Sequence, residues 1–163
     1  IDSFKIEGRM KTALYVATVA RTYRKAIDDY MESEEKYRAN MEYYKREIAK
    51  CTYRQFTTGF YFGKTDSESQ IYDSNTYVKN YTYIGTVREV TPDGCVCFEQ
   101  KNKFLVGEKL EAMGFDGTNI ECEVQAIYDE EENSMVSAPH PKQKLRVKLD
   151  KELETGIILR RKE

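Results

Sequence analysis

Glu7 and Arg9, near the start of the chain, are the first residues whose types and spacing have chemical use. Residues two apart on an extended backbone point to the same side. A carboxylate and a guanidinium placed that way bind a polar or anionic substrate, with the arginine as a two-pronged donor. The other reading is a local ion pair that fixes a turn. The single histidine, His140, lies between Pro139 and Pro141 with no carboxylate in sight to orient it. A general base needs such a third group, so His140 is a poor one. Cys95 and Cys97 share a strand face, but two thiolates do not complete a tetrahedral site, and no metal site is expected. Neither a Gly-x-Ser-x-Gly elbow nor a His-Glu-x-x-His helix is present. The residues point to binding more than to catalysis.

Charge is unevenly placed. Residues 108–132 carry nine acids and one base, Lys109, whereas residues 140–163 carry eight bases and four acids. The net charge of the whole is only −2. Such asymmetry marks a polarised surface, although charge runs often only keep a domain soluble. The 163 residues include 13 Tyr, no Trp and 40% hydrophobic residues, a globular profile. No apolar run is long enough to span a membrane. The four cysteines read as reduced thiols of a cytoplasmic protein.

These residues need elements to hold them. Val16, Ala20, Tyr23, Ile27 and Tyr30 recur at helical spacing, with Ala13, Ala17 and Ala20 as a small-residue strip. A second helix is predicted from Ser33, whose hydroxyl caps it, with Glu34 and Glu35 in the positive first turn. Tyr37, Met41, Tyr44 and Ile48 form its apolar stripe. Residues 63–80 are polar and turn-rich. Beyond Tyr81 the period becomes two: Ile120, Cys122, Val124 and Ala126 alternate with polar residues, as do Leu145, Val147 and Leu149. Turn signals divide this part into six or seven predicted strands. The fold class is therefore α+β: helices over 1–50, a linker over 51–80, and a small antiparallel β-barrel over 81–163. Phe4-Lys5-Ile6 reads as a strand end feeding a helix, the repeating unit of an α/β barrel. The chain is thus expected to begin with the last piece of a barrel otherwise absent.

The stretch "FKIEGRMKTALYVATVARTYRKAIDDY" resembles the segment that closes the barrel of the collagenase-like peptidases, family U32. "RQFTTGFYFG", "YIGTV" and "KNKFLVGEKLE" resemble later blocks of that family, in the same order. The resemblance implies a C-terminal β-barrel like the second domain of elongation factors, following a catalytic (β/α)-barrel. The cysteine signature of that catalytic part has no match here. The family name implies a peptidase accessory domain for substrate recognition, the fragment itself being inactive. Some members are linked to hydroxylation of tRNA or rRNA bases, with an iron–sulfur centre in the catalytic part. The barrel here would then position RNA. In that case Lys101 and Asn102 form a contact loop, unless Asn102 is only a turn residue. Arg146, Lys148, Arg160 and Arg161 would meet phosphates, with Arg146 and Lys148 sharing a face with the Arg160–Lys162 cluster. A third possibility is a structural cover. The expected partners are the missing catalytic barrel, RNA or peptide, and a second copy through residues 10–50, whose Val16, Tyr23 and Ile27 have few partners within the chain.

Overall fold

The computed structural model describes residues 2–51, 58–64 and 80–163. Its first part holds α1 (Ala13–Glu32), α2 (Glu34–Ala39) and α3 (Met41–Ile48). Ser33 separates α1 from α2 in an extended conformation, and its hydroxyl accepts the Lys36 N–H at 3.1 Å. The cap and its acidic first turn are those read from the sequence. The single second helix predicted there is two helices, because Asn40 leaves helical geometry between them. Its side chain donates to Asp29 at 2.9 Å, a use of Asn that competes with helix continuation. Asp29 also accepts from the Tyr44 hydroxyl at 2.6 Å and pairs with Lys25 at 2.9 Å, which ties α3 back onto α1.

The helical period of α1 is as predicted, but the face turned inward carries Leu14, Thr18, Val19, Thr22 and Asp29. Val16, Tyr23 and Tyr30 are 40–55% exposed. The half-polar face is the one packed because its neighbours supply hydrogen-bonding groups. Phe4-Lys5-Ile6 forms no ladder among the described residues, and Phe4 and Ile6 are exposed. Most of the expected linker over 51–80, and the first four residues of the "RQFTTGFYFG" block, lie outside the described residues. No described helix is long and apolar enough to cross a membrane.

The second part is antiparallel. Its strands are β1 (Tyr81–Thr86), β2 (Glu89–Val90), β3 (Val96–Glu99), β4 (Phe104–Leu105), β5 (Lys109–Met113), β6 (Asn119–Tyr128), β7 (Ser134–Met135), β8 (Ser137–Ala138), β9 (Lys144–Leu149) and β10 (Ile158–Lys162). The main sheet runs β1-β10-β5-β6-β9-β3-β2, with β7 on β6 and a separate β4-β8 ribbon. More strands form than predicted because several are two-residue pieces between turns.

The alternation in β9 is as read, with Leu145, Val147 and Leu149 buried. That in β6 holds for Cys122 and Val124, then shifts. A register irregularity between Val124 and Ala126 turns Ile127, not Ala126, into the core. Such an extra residue reverses the pleat downstream of itself.

β1 and β2, the two ends of the main sheet, are consecutive in the chain with only Val87 and Arg88 between them. Two residues span less than about 10 Å, so the sheet curls until its ends approach. No ladder joins β1 to β3, but the Lys101 N–H donates to the Ile84 carbonyl and the Arg88 N–H to the Cys97 carbonyl, both at 2.8 Å. The curl encloses one core, in which Ile84, Phe104, Ala112, Val124, Ile127, Val147 and Leu159 have no exposed surface.

Candidate nucleic-acid interface

The basic residues singled out by sequence separate into three environments. Arg160 is the clearest correction. It was expected on an outward phosphate-contacting face, but it is fully buried between β10 and the helices. Its Nε donates to Glu111 at 2.7 Å and its Nη2 to Glu47 at 2.9 Å, and its guanidinium carbon stands 5.0 Å from the centre of the Tyr81 ring. Glu47 also accepts from Arg21 at 2.7 Å, pairs with Lys50 at 2.7 Å and takes the Asn119 amide at 2.7 Å. Arg21 reaches further, donating to the Gly114 and Thr118 carbonyls at 3.0 Å. Burial works to raise the Glu47 carboxyl, but Lys50 and Arg160 outweigh it and hold it below the usual range. Three cations and two carboxylates thus join α1 and α3 to β5, β6 and β10.

Arg146 and Lys148 form the second group. Arg146 bonds Asp93 at 3.1 Å and Glu132, and lies 4.5 Å from the centre of the Tyr128 ring. Lys148 donates to the Asp93 carbonyl at 2.6 Å. The Asp93 carboxyl is pulled down to about 2, first by its hydrogen bond from Thr91, then by that from Cys95, with Arg146 adding. The charge of Arg146 is therefore already matched by two acids. These two residues were also expected to share a face with the Arg160–Lys162 cluster. That arrangement is not formed by strand pairing, because β5 and β6 separate β9 from β10. Arg161 is held by Glu108 at 3.1 Å and the Lys103 carbonyl at 2.9 Å.

Lys101 and Asn102 lie at the seam between β1 and β3. The Asn102 amide donates to the Tyr83 carbonyl at 2.7 Å, so it bonds a neighbouring strand rather than its own turn. Lys101 pairs with Glu99. Beside them opens a groove of about 370 Å³ lined by Tyr83, Arg88, Glu89, Glu99, Lys101 and Lys144, among others.

Glu7 and Arg9 form the local pair: the Arg9 guanidinium is 3.5 Å from Glu7, both are exposed, and Lys5 is 2.9 Å away. Among the described residues, Lys5 is the one further side chain that pairs with Glu7. The cysteines do not suit an iron–sulfur centre. Cys51 donates to the Ile48 carbonyl, Cys122 to the Leu110 carbonyl and Cys95 to Asp93, each in its own surroundings. Among the described residues no three metal-binding side chains gather.

Residues 79–160 match the peptidase family U32 C-terminal domain, and residues 1–71 match peptidase family U32 itself. The chain belongs to peptidase family U32. Among curated relatives it is 35% identical over 162 residues to tRNA hydroxylation protein P1 of Bacillus subtilis, covering 99% of this chain and 38% of that protein. It is 30% identical to tRNA hydroxylation protein P of Escherichia coli, covering 85% of this chain and 30% of that one. It is 48% identical over 61 residues to an uncharacterized protease of Methanocaldococcus jannaschii, covering 37% of this chain and 14% of that one. The chain thus spans little more than a third of the first of these relatives. A crystal structure of the C-terminal domain of a Geobacillus thermoleovorans U32 protein aligns with a TM-score of 0.45 and 27% identity, covering 49% of this chain and 99% of that one.

Within this U32 chain, sequence reasoning missed Arg88 and Tyr83 as groove residues. Arg88 is an isolated base in a two-residue link and belongs to no charge run. Only the curl of the sheet, not visible in the order of residues, sets it beside Lys101 and Lys144.

Proposed function

We propose that this chain is the RNA-positioning end of a U32 tRNA hydroxylation protein. The observation that carries the reading is the likeness to a tRNA hydroxylation protein along 162 residues, through helices and β domain alike. The peptidase-accessory reading has the shorter protease match behind it. Geometry supports a positioning role in two ways. The buried Glu47–Arg160 network fixes the β domain against the helices, so a ligand on the sheet keeps a set direction relative to the U32 part. The curled sheet, which we take as a small barrel, presents cations at its seam.

In this reading hydroxylation, with any iron–sulfur centre it uses, belongs to the part of a full-length protein outside the matched residues. The exposed face of α1 meets that part or a second copy, and the partner tRNA places the work in the cytoplasm. The test is to purify the full-length protein from cells and analyse what comes with it. Copurifying tRNA, and loss of a hydroxylated tRNA nucleoside when the gene is deleted, are expected. Cleavage of peptide with no change in tRNA nucleosides would overturn the reading.

A further inference from the structure

The groove at the β1–β3 seam gathers several basic side chains around one opening. Its floor is the outward face of β3, Cys97 and Glu99, and Tyr83, Arg88, Lys101 and Lys144 stand around it. Among the described residues, Arg88 and Lys142 make no ion pair, while Lys144, 73% exposed, pairs with Glu130 at 3.4 Å. The Lys142 N–H donates to the Gln100 carbonyl at 2.9 Å, which sets it next to Lys101 at the groove. The Glu99 carboxyl is held below its usual range first by Lys101, with Lys142 and Arg88 adding. Three cations, Arg88, Lys101 and Lys144, thus line a groove with two carboxylates, Glu89 and Glu99, with Lys142 beside it and Glu130 next to Lys144. Arg146, by contrast, faces two acids of its own. Tyr83 is pinned by a 2.8 Å bond between its hydroxyl and Thr86, and offers a fixed ring at the rim.

Lys142 adds a second kind of observation. Its φ is +68°, a left-handed conformation that costs a side-chain-bearing residue energy and that glycine adopts freely.

We propose that this groove is the site where the protein holds the sugar–phosphate backbone of its tRNA. Arg88 and Lys142 pair with phosphates, and Lys101 and Lys144 add to the field. The inference rests on the RNA-positioning reading and deepens it by naming the surface. Phosphates release condensed counterions when lysine and arginine neutralise them, so each such contact has a signature in salt dependence.

The test uses full-length protein and fluorescently labelled tRNA, with affinity measured over a range of salt. The double variant Arg88→Ala, Lys142→Gly should weaken binding roughly ten-fold and lower the salt slope by about two. Its thermal midpoint should be no lower than that of the native protein, because glycine relieves the left-handed backbone at 142. This separates a binding defect from misfolding. The double variant Lys45→Ala, Lys109→Ala removes the same charge from exposed positions outside the groove and should leave the slope unchanged. If the native protein binds tRNA and the groove variant binds it equally well, the groove assignment fails and the RNA reading stands. If the native protein shows no salt-dependent tRNA binding, the RNA reading itself fails. If poly-glutamate displaces tRNA at equal charge concentration, the site takes acidic peptide and the assignment to RNA is overturned.

Discussion

Arg160 of β10 and Glu47 of α3, 113 residues apart, meet at 2.9 Å with 0% and 4% of their side chains exposed. The contact joins the helical U32 segment to the β domain. Its group of three cations and two carboxylates carries one excess positive charge, so the two signs are not equally dispensable. Removing a cation brings the group to neutrality, whereas removing a carboxylate doubles the excess.

Glu47→Gln is therefore expected to cost more than Arg160→Met. Loss of a buried ionic partner costs roughly 3–5 kcal/mol. Arg160→Met gives up charged hydrogen bonds worth about 2 kcal/mol but leaves Glu47 with Arg21 and Lys50. Urea unfolding of the two variants gives the order. Equal losses, or the reverse order, would show that the network is not a buried charge cluster.

Gly85 lies at a close approach across the seam. A Cβ there would fall against the Phe98 ring and 3.1 Å from the Glu99 carbonyl. Gly85→Ala is expected to lower the unfolding free energy by about 1–3 kcal/mol, the cost of overpacking. Chemical denaturation checks this, and an unchanged midpoint would mean that β1 and β3 stand further apart.

Acid should loosen the helical part. Burial alone would raise the Asp29 carboxyl, but hydrogen bonds from Tyr44, Lys25 and Asn40 outweigh it and hold it well below the usual range. Glu47 is also lowered. In the unfolded chain such carboxyls take up protons near pH 4, so the unfolded state binds protons first as pH falls. Their stabilisation is complete above that value and declines as pH falls toward the folded values. Thermal midpoints should drop steeply from about pH 4.5 downward, and Asp29→Asn should flatten the drop. A flat profile for the native protein would contradict the pairing.

Much of this fold was legible in the sequence, because local rules governed it. Ser33 caps with its own hydroxyl, and the alternation of Leu145, Val147 and Leu149 needs only a pleat. What was not legible depends on distant partners. Arg160 and Arg161 are adjacent and identical in type, yet one meets Glu47 in the interior and the other bonds Glu108 near the surface. The helix period of α1 was plain, but which face is packed is set by distant partners: Arg21 of α1 reaches Glu47 of α3, and Arg160 of β10 reaches Thr18 of α1. The turn of β6 at Val124 followed from a bulge that leaves no mark in the residue pattern.

The most direct measurement of the RNA-positioning role needs no substitution. Full-length protein is irradiated with ultraviolet light on bound tRNA, and the crosslinked peptides are identified by mass spectrometry. Crosslinks within residues 83–103 and 142–145 are expected, on the seam between β1, β3 and β9. Crosslinks confined to the protein outside residues 80–163 would contradict the account.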